Sequence, residues 1–189
     1  MEHTAVARKH LSTRDLVYVA VFAALMAVCA WIAIPTTVPF TLQTMGVFLA
    51  GGLLGGRRGT LAVLVYLLLG AVGAPVYAGF AGGLGPLVGS TGGYILGFLL
   101  CALTMWAVEA ALGKSLWALG LGMVLGLIVC YIFGTAWFMV VYTQASGPVG
   151  LWTVLGWCVF PFLIPDLLKM ALALAITARL RRHIQPVRG

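Results

Sequence analysis

Charge is scarce in this sequence. Only 8% of its 189 residues are Asp, Glu, Lys or Arg, and four of those are acidic. A soluble domain carries about 25% charged residues and is less than half apolar. Here 62% of residues are hydrophobic, so the chain lacks the polar surface to cover itself and lipid must serve as part of its solvent. Histidine is absent from the apolar runs: His3, His10 and His183 all lie in the polar tails. That argues against a histidine-based metal or catalytic centre within the membrane. Cys29, Cys101, Cys130 and Cys158 are far apart in apolar runs with no CxxC spacing, and read as small packing residues. The glycine-rich runs lack the lysine of a phosphate-binding loop, so the chain is expected to bind no ATP and no other cofactor. A GxSxG elbow and a chain of carboxylates for proton coupling are also missing. These absences leave a protein equipped to bind, not an enzyme and not a motor.

Six hydrophobic segments are present, at about Leu16–Ile34, Phe40–Leu54, Gly59–Ala74, Thr91–Leu112, Ser115–Tyr142 and Leu151–Leu180. The first is too long for a signal-peptide core of about 7–15 residues, and reads as a retained helix. The last is broken by Pro161 and Pro165. Its main helix is expected to begin near Pro161, since proline is tolerated in a first turn, with Leu151–Val159 as a short surface helix or loop.

The net charge of +7 is distributed as topology, not as a phosphate-binding face. Arg8, Lys9 and Arg14 precede the first segment. Arg57 and Arg58 lie between the second and third, Lys114 between the fourth and fifth, and Arg179, Arg181, Arg182 and Arg188 at or beyond the end of the sixth. With six crossings these clusters share one side, whereas loops 35–39, 75–90 and 143–150 hold no charge. The expectation is an all-α membrane protein with six transmembrane helices and both termini in the cytoplasm. Residues 1–15 form a basic N-terminal segment, 16–180 the membrane domain and 181–189 a basic tail. Glu109, close to Lys114, reads as a solvated end charge. Prolines and glycines concentrate on the uncharged side, notably in segment 79–93. Irregular backbone at membrane depth survives only when buried in protein or lining a wet cavity, so that side is expected to hold one.

Asp166 and Lys169 do not fit the topology pattern. They are three residues apart and share a helix face. Lys169 lies about 15 Å of helix before Arg179, well inside the membrane. A charge there costs at least about 2.5 kcal/mol on insertion scales. The pair either pins helix packing or faces a cavity that holds a polar ligand. Gln43, Thr44, Thr91 and Tyr94 begin segments on the same side, beside Gly92 and Gly93, while Tyr77 and Trp137 offer flat faces with a polar handle. Together they suggest a pocket for a small organic molecule. In the first segment Ala20, Ala23, Ala24, Ala27 and Ala30 recur at helical spacing, a small-residue face suited either to internal packing or to docking on a partner.

PFTLQT at 39–44, LAGGLLG at 49–55, YLLLGAVGAPVYA at 66–78, GSTGGYILGF at 89–98 and PFLIPDLLK at 161–169 resemble the BioY family. Ser90 stands where that family usually has proline, which affects loop stiffness more than chemistry. BioY proteins are the substrate-binding S components of energy-coupling-factor (ECF) transporters for biotin. The resemblance implies a six-helix S component in the cytoplasmic membrane, open to the outside, that captures biotin for uptake. It implies partnership with a T component and two ATPases, and assigns docking to Ala20, Ala23, Ala24 and Ala27. It implies a substrate site built from Gln43, Thr44, Tyr77, Thr91, Gly92, Gly93, Tyr94, Trp137, Asp166 and Lys169. The alternative is a stand-alone secondary carrier for biotin or another vitamin-like molecule.

Overall fold

Helix α1, Thr13–Trp31, starts at a capping box: Ser12 Oγ accepts from the Asp15 N–H, and the Asp15 carboxylate accepts from the Ser12 N–H. The computed structural model describes residues 12–35 and 39–181, so most of the two expected tails lies outside the described residues. A two-residue antiparallel bridge pairs β1, Ala33–Ile34, with β2, Phe40–Thr41. Then come α2, Gln43–Leu54, and α3, Gly56–Ala71, joined by Gly55 alone at φ +81°. Only glycine adopts that backbone without strain. A turn of 3-10 helix, Ala78–Phe80, and the short α4, Gly85–Val88, lead to α5, Gly92–Leu112. The chain closes with α6, Leu116–Ser146, α7, Leu151–Cys158, and α8, Phe160–Leu180. As the prolines predict, α7 is short and Pro161 sits in the first turn of α8; Pro165 lies inside that helix.

Among the described residues, four stretches are long and apolar enough to cross a membrane: Thr13–Trp31, Gly92–Leu112, Leu116–Ser146 and Leu151–Leu180. The second and third expected segments correspond to shorter helices. With 12 and 16 residues, α2 and α3 reach about 18 and 24 Å, short of a core of about 30 Å. Part of the second segment is the extended β2. The third helix starts three residues earlier than expected, with Arg57 and Arg58 in its first turn instead of a loop.

Six helix ends meet at one face. Arg58 of α3 pairs with Asp15 of α1 at 2.8 Å. Glu109, near the end of α5, accepts the Gly56 N–H at 2.6 Å and faces Lys114 at 3.7 Å. Arg181, just past α8, donates to Gly52 O at 2.9 Å and to Lys114 O at 2.8 Å. Glu109 is therefore not the solvated end charge expected from sequence. It caps α3, because the first N–H groups of a helix have no partner within it.

The antiparallel α5 and α6 pack through glycines set against larger neighbours. A methyl group on Gly134 would lie 2.2 Å from Tyr94, and one on Gly97 2.8 Å from Cys130. In lipid, where apolar burial gives no net drive to associate, such close approach supplies the dispersion that holds helices together. The alanine face of α1 divides. Ala23, Ala27 and Ala30 are buried in the core, whereas Ala20 and Ala24 are exposed beside Val17 and Val21. Ala23 and Ala27 thus pack inside the chain and are not available for the docking expected of them.

Candidate functional site

The face opposite the charges encloses a cavity of about 270 Å³. The starts of α2, α5 and α8, the middle of α6 and the turn around Ala78 form its wall. At its polar end, Lys169 Nζ donates to Asp166 Oδ1 at 2.8 Å and to the Thr41 carbonyl at 2.6 Å. Thr44 Oγ1 donates to Asp166 Oδ1 at 2.9 Å, and the Tyr131 hydroxyl donates to Oδ2. The ammonium also sits 4.4 Å from the centre of the Phe40 ring, a cation–π contact. Asp166 and Lys169 are 2% and 5% exposed. Such a pair escapes the desolvation penalty only when its remaining positions are also satisfied.

Counting those positions shows what the pair offers. An ionised carboxylate has about four acceptor sites and an ammonium three donors. Asp166 accepts three protein donors, and Lys169 donates to two acceptors. One acceptor position remains, on Asp166 Oδ2, and one N–H on Lys169.

The rest of the wall is apolar or aromatic. Tyr94, held by a 3.0 Å hydrogen bond to Thr135, lines it with Phe98, Phe162 and Ile95. Tyr77 lines it too, with its hydroxyl committed to Leu67 O at 2.8 Å.

Seven residues singled out by sequence line the cavity: Gln43, Thr44, Tyr77, Thr91, Tyr94, Asp166 and Lys169. Gly92, Gly93 and Trp137 do not. A methyl on Gly92 would lie 1.9 Å from Leu87 O, and one on Gly93 2.3 Å from Trp137 Cβ. These glycines admit the α4 turn and the Trp137 ring against the start of α5. Trp137 donates from Nε1 to Gly89 O at 3.0 Å, so it braces the loop that leads into α5. Tyr131 and Phe162 were not singled out. Tyr131 lies 35 residues from Asp166, and only the folded contact separates it from the other aromatics of α6. Phe162, inside the quoted PFLIPDLLK motif, had the better signal: it is one helical turn before Asp166, on the same face.

The model of the BioY family matches residues 3–186. The biotin transporter BioY of Thermotoga maritima is 41% identical over 172 residues, covering 89% of this chain and 96% of that protein. The probable biotin transporter BioY of Pyrococcus horikoshii is 38% identical, covering 90% and 98%. The crystal structure of an S-component for biotin from an ECF-type ABC transporter superposes with a TM-score of 0.78 at 30% identity, covering 89% of this chain and 91% of that one.

Proposed function

The chain belongs to the BioY family, and on that premise we propose that it is a membrane protein that binds biotin and mediates its uptake. The observation that carries this reading is the lone acceptor and lone donor left on Asp166 and Lys169 at the polar end of an aromatic cavity. A ureido edge presents an N–H beside a C=O and complements both. A carboxylate would meet Asp166 with like charge, so the ring end of biotin faces this pair and the tail points away. Tyr77, Tyr94, Phe98 and Phe162 pack on the fused rings, and Gln43, Thr44 and Thr91 serve remaining polar atoms. Gly92, Gly93 and Trp137 contribute by shaping the wall.

The chain crosses the cytoplasmic membrane six times, with the charged face inside and the cavity opening outward. The meeting of six helix ends at the charged face supports this count. The extended strands before α2 and the turns after α3 complete the path of the two short helices through the outer half. Uptake is energised by an ECF module of a T component and two ATPases, and this chain binds no ATP. Docking falls to Ala20 and Ala24, the two alanines of α1 that remain exposed.

Equilibrium binding of biotin to the purified protein tests the site. Asp166→Asn and Lys169→Met should each weaken binding at least about tenfold, as expected when one partner of a buried charged hydrogen bond is removed. Unchanged affinity in both variants would refute the assignment. Uptake of labelled biotin by proteoliposomes, with and without the T component and ATPases, tests the energising partner. ATP-independent uptake by this chain alone would identify a stand-alone carrier.

A further inference from the structure

Gln43 is held in a run of hydrogen bonds whose direction is fixed at the Tyr66 end. The Tyr66 hydroxyl donates its single proton to the Val76 carbonyl at 3.1 Å, an oxygen that can only accept. Tyr66 is therefore an acceptor toward Gln43, and the amide atom 2.6 Å away must be the nitrogen. From the other side, the Gln43 backbone N–H donates to Thr41 Oγ1 at 3.3 Å, and the Thr41 hydroxyl donates to Gln43 Oε1 at 2.7 Å. The Thr41 hydroxyl could meet either end of the amide, since it is both donor and acceptor, so the Tyr66 end decides the orientation. One N–H and one lone pair of the amide remain for other partners, on fixed sides. Tyr66 itself is 0% exposed and lies outside the cavity wall. Its ring stands edge-on to that of Tyr77, which does line the wall, with centroids 5.7 Å apart.

We propose that Tyr66 is a positioning residue that sets ligand specificity. By holding the Gln43 amide in one orientation, it decides which polar atom of the ligand meets a donor and which meets an acceptor. An amide free to turn over can serve either kind of atom and discriminates little between them. A fixed one rejects an analogue with the wrong atom, because a buried polar group is then left unpaired. The inference rests on the biotin reading above.

The experiment measures affinities of the full chain for biotin and two analogues. In 2-iminobiotin an N–H group replaces the ring carbonyl oxygen. In biotin methyl ester the tail carboxylate is masked. If the unaltered protein binds none of the three, the biotin reading itself fails and takes this inference with it. If it binds, Tyr66→Phe keeps the ring against Tyr77 and removes only the hydroxyl. Biotin affinity should fall about tenfold, and preference for biotin over one of the analogues should shrink several-fold. An equal loss for all three ligands means that Tyr66 only supports the fold, and overturns the proposal while leaving the biotin reading intact. Gln43→Met supplies the second arm. In that background Tyr66→Phe should change no preference further, since it acts through Gln43; a further change overturns the proposal. Should Tyr66→Phe fail to fold, Gln43→Glu, which has no N–H to offer, must lose preference against an analogue. An unaltered preference there is equally fatal.

Discussion

The two ends of the bundle each hold a carboxylate–lysine pair, in opposite surroundings. At one end Glu109 and Lys114 face each other at 3.7 Å, with side chains 19% and 64% exposed. At the other, Asp166 and Lys169 meet at 2.8 Å with side chains 3% and 6% exposed. An exposed pair in high dielectric contributes about 0–1 kcal/mol. A buried one is costly to assemble and still more costly to break. The first is explained by its place among helix ends, whose free N–H and C=O groups its members and Arg181 satisfy. The second needs a further reason to exist, and the adjacent cavity provides it.

Asp166→Ala tests that contrast most severely. It leaves Lys169 buried without its counter-charge, which should cost roughly 3–5 kcal/mol, read as a large drop in thermal stability and loss of biotin binding. A variant as stable as the parent would mean that the pair is not sealed from solvent and that the two ends are alike. Glu109→Ala comes next, because the effect of Glu109 lies in capping α3 more than in its ion pair. Orphaning the Gly56 N–H should lower stability by about 0.5–2 kcal/mol with biotin affinity unchanged. Tyr131→Phe removes one neutral donor from Asp166 and should cost about 1 kcal/mol in folding, with a measurable change in biotin affinity that Glu109→Ala lacks. Lys114→Ala should lower stability least, by less than about 1 kcal/mol in thermal unfolding, and that small effect should fade with added salt.

The charge pattern in the sequence marked both ends without any contact being known. The Asp166–Lys169 pair was legible because a charge far from any helix end must be satisfied by something. Lengths of α2 and α3 were not legible. Hydropathy treats Phe40 and Thr41 as part of a helix, whereas their backbone pairs with Ala33 and Ile34, a contact that apolar character alone does not reveal. The alanines of α1 show the limit of periodicity in another way. Ala20 and Ala27 lie seven residues apart at nearly the same angle around the helix. One is exposed and the other buried, since burial also depends on which element crosses at that depth. Trp137 misled because an indole suits a ligand wall and a loop brace equally well. Tyr131 gave no local signal, since its partner is distant in sequence.

The bond from Lys169 to Thr41 reaches the backbone carbonyl, not the side chain. The placement of Lys169 is therefore insulated from sequence drift at position 41, although the Thr41 hydroxyl also bonds Gln43. A substitution there leaves the carbonyl where it was, so relatives and engineered variants can differ at that residue and keep the lysine in place. Chain length is another matter. Adding or removing one residue between Ile34 and Thr41 would shift the register of the strand that presents this oxygen and reverse which side each residue faces. The bond from Lys169 should tolerate replacement at position 41 and resist insertion before it.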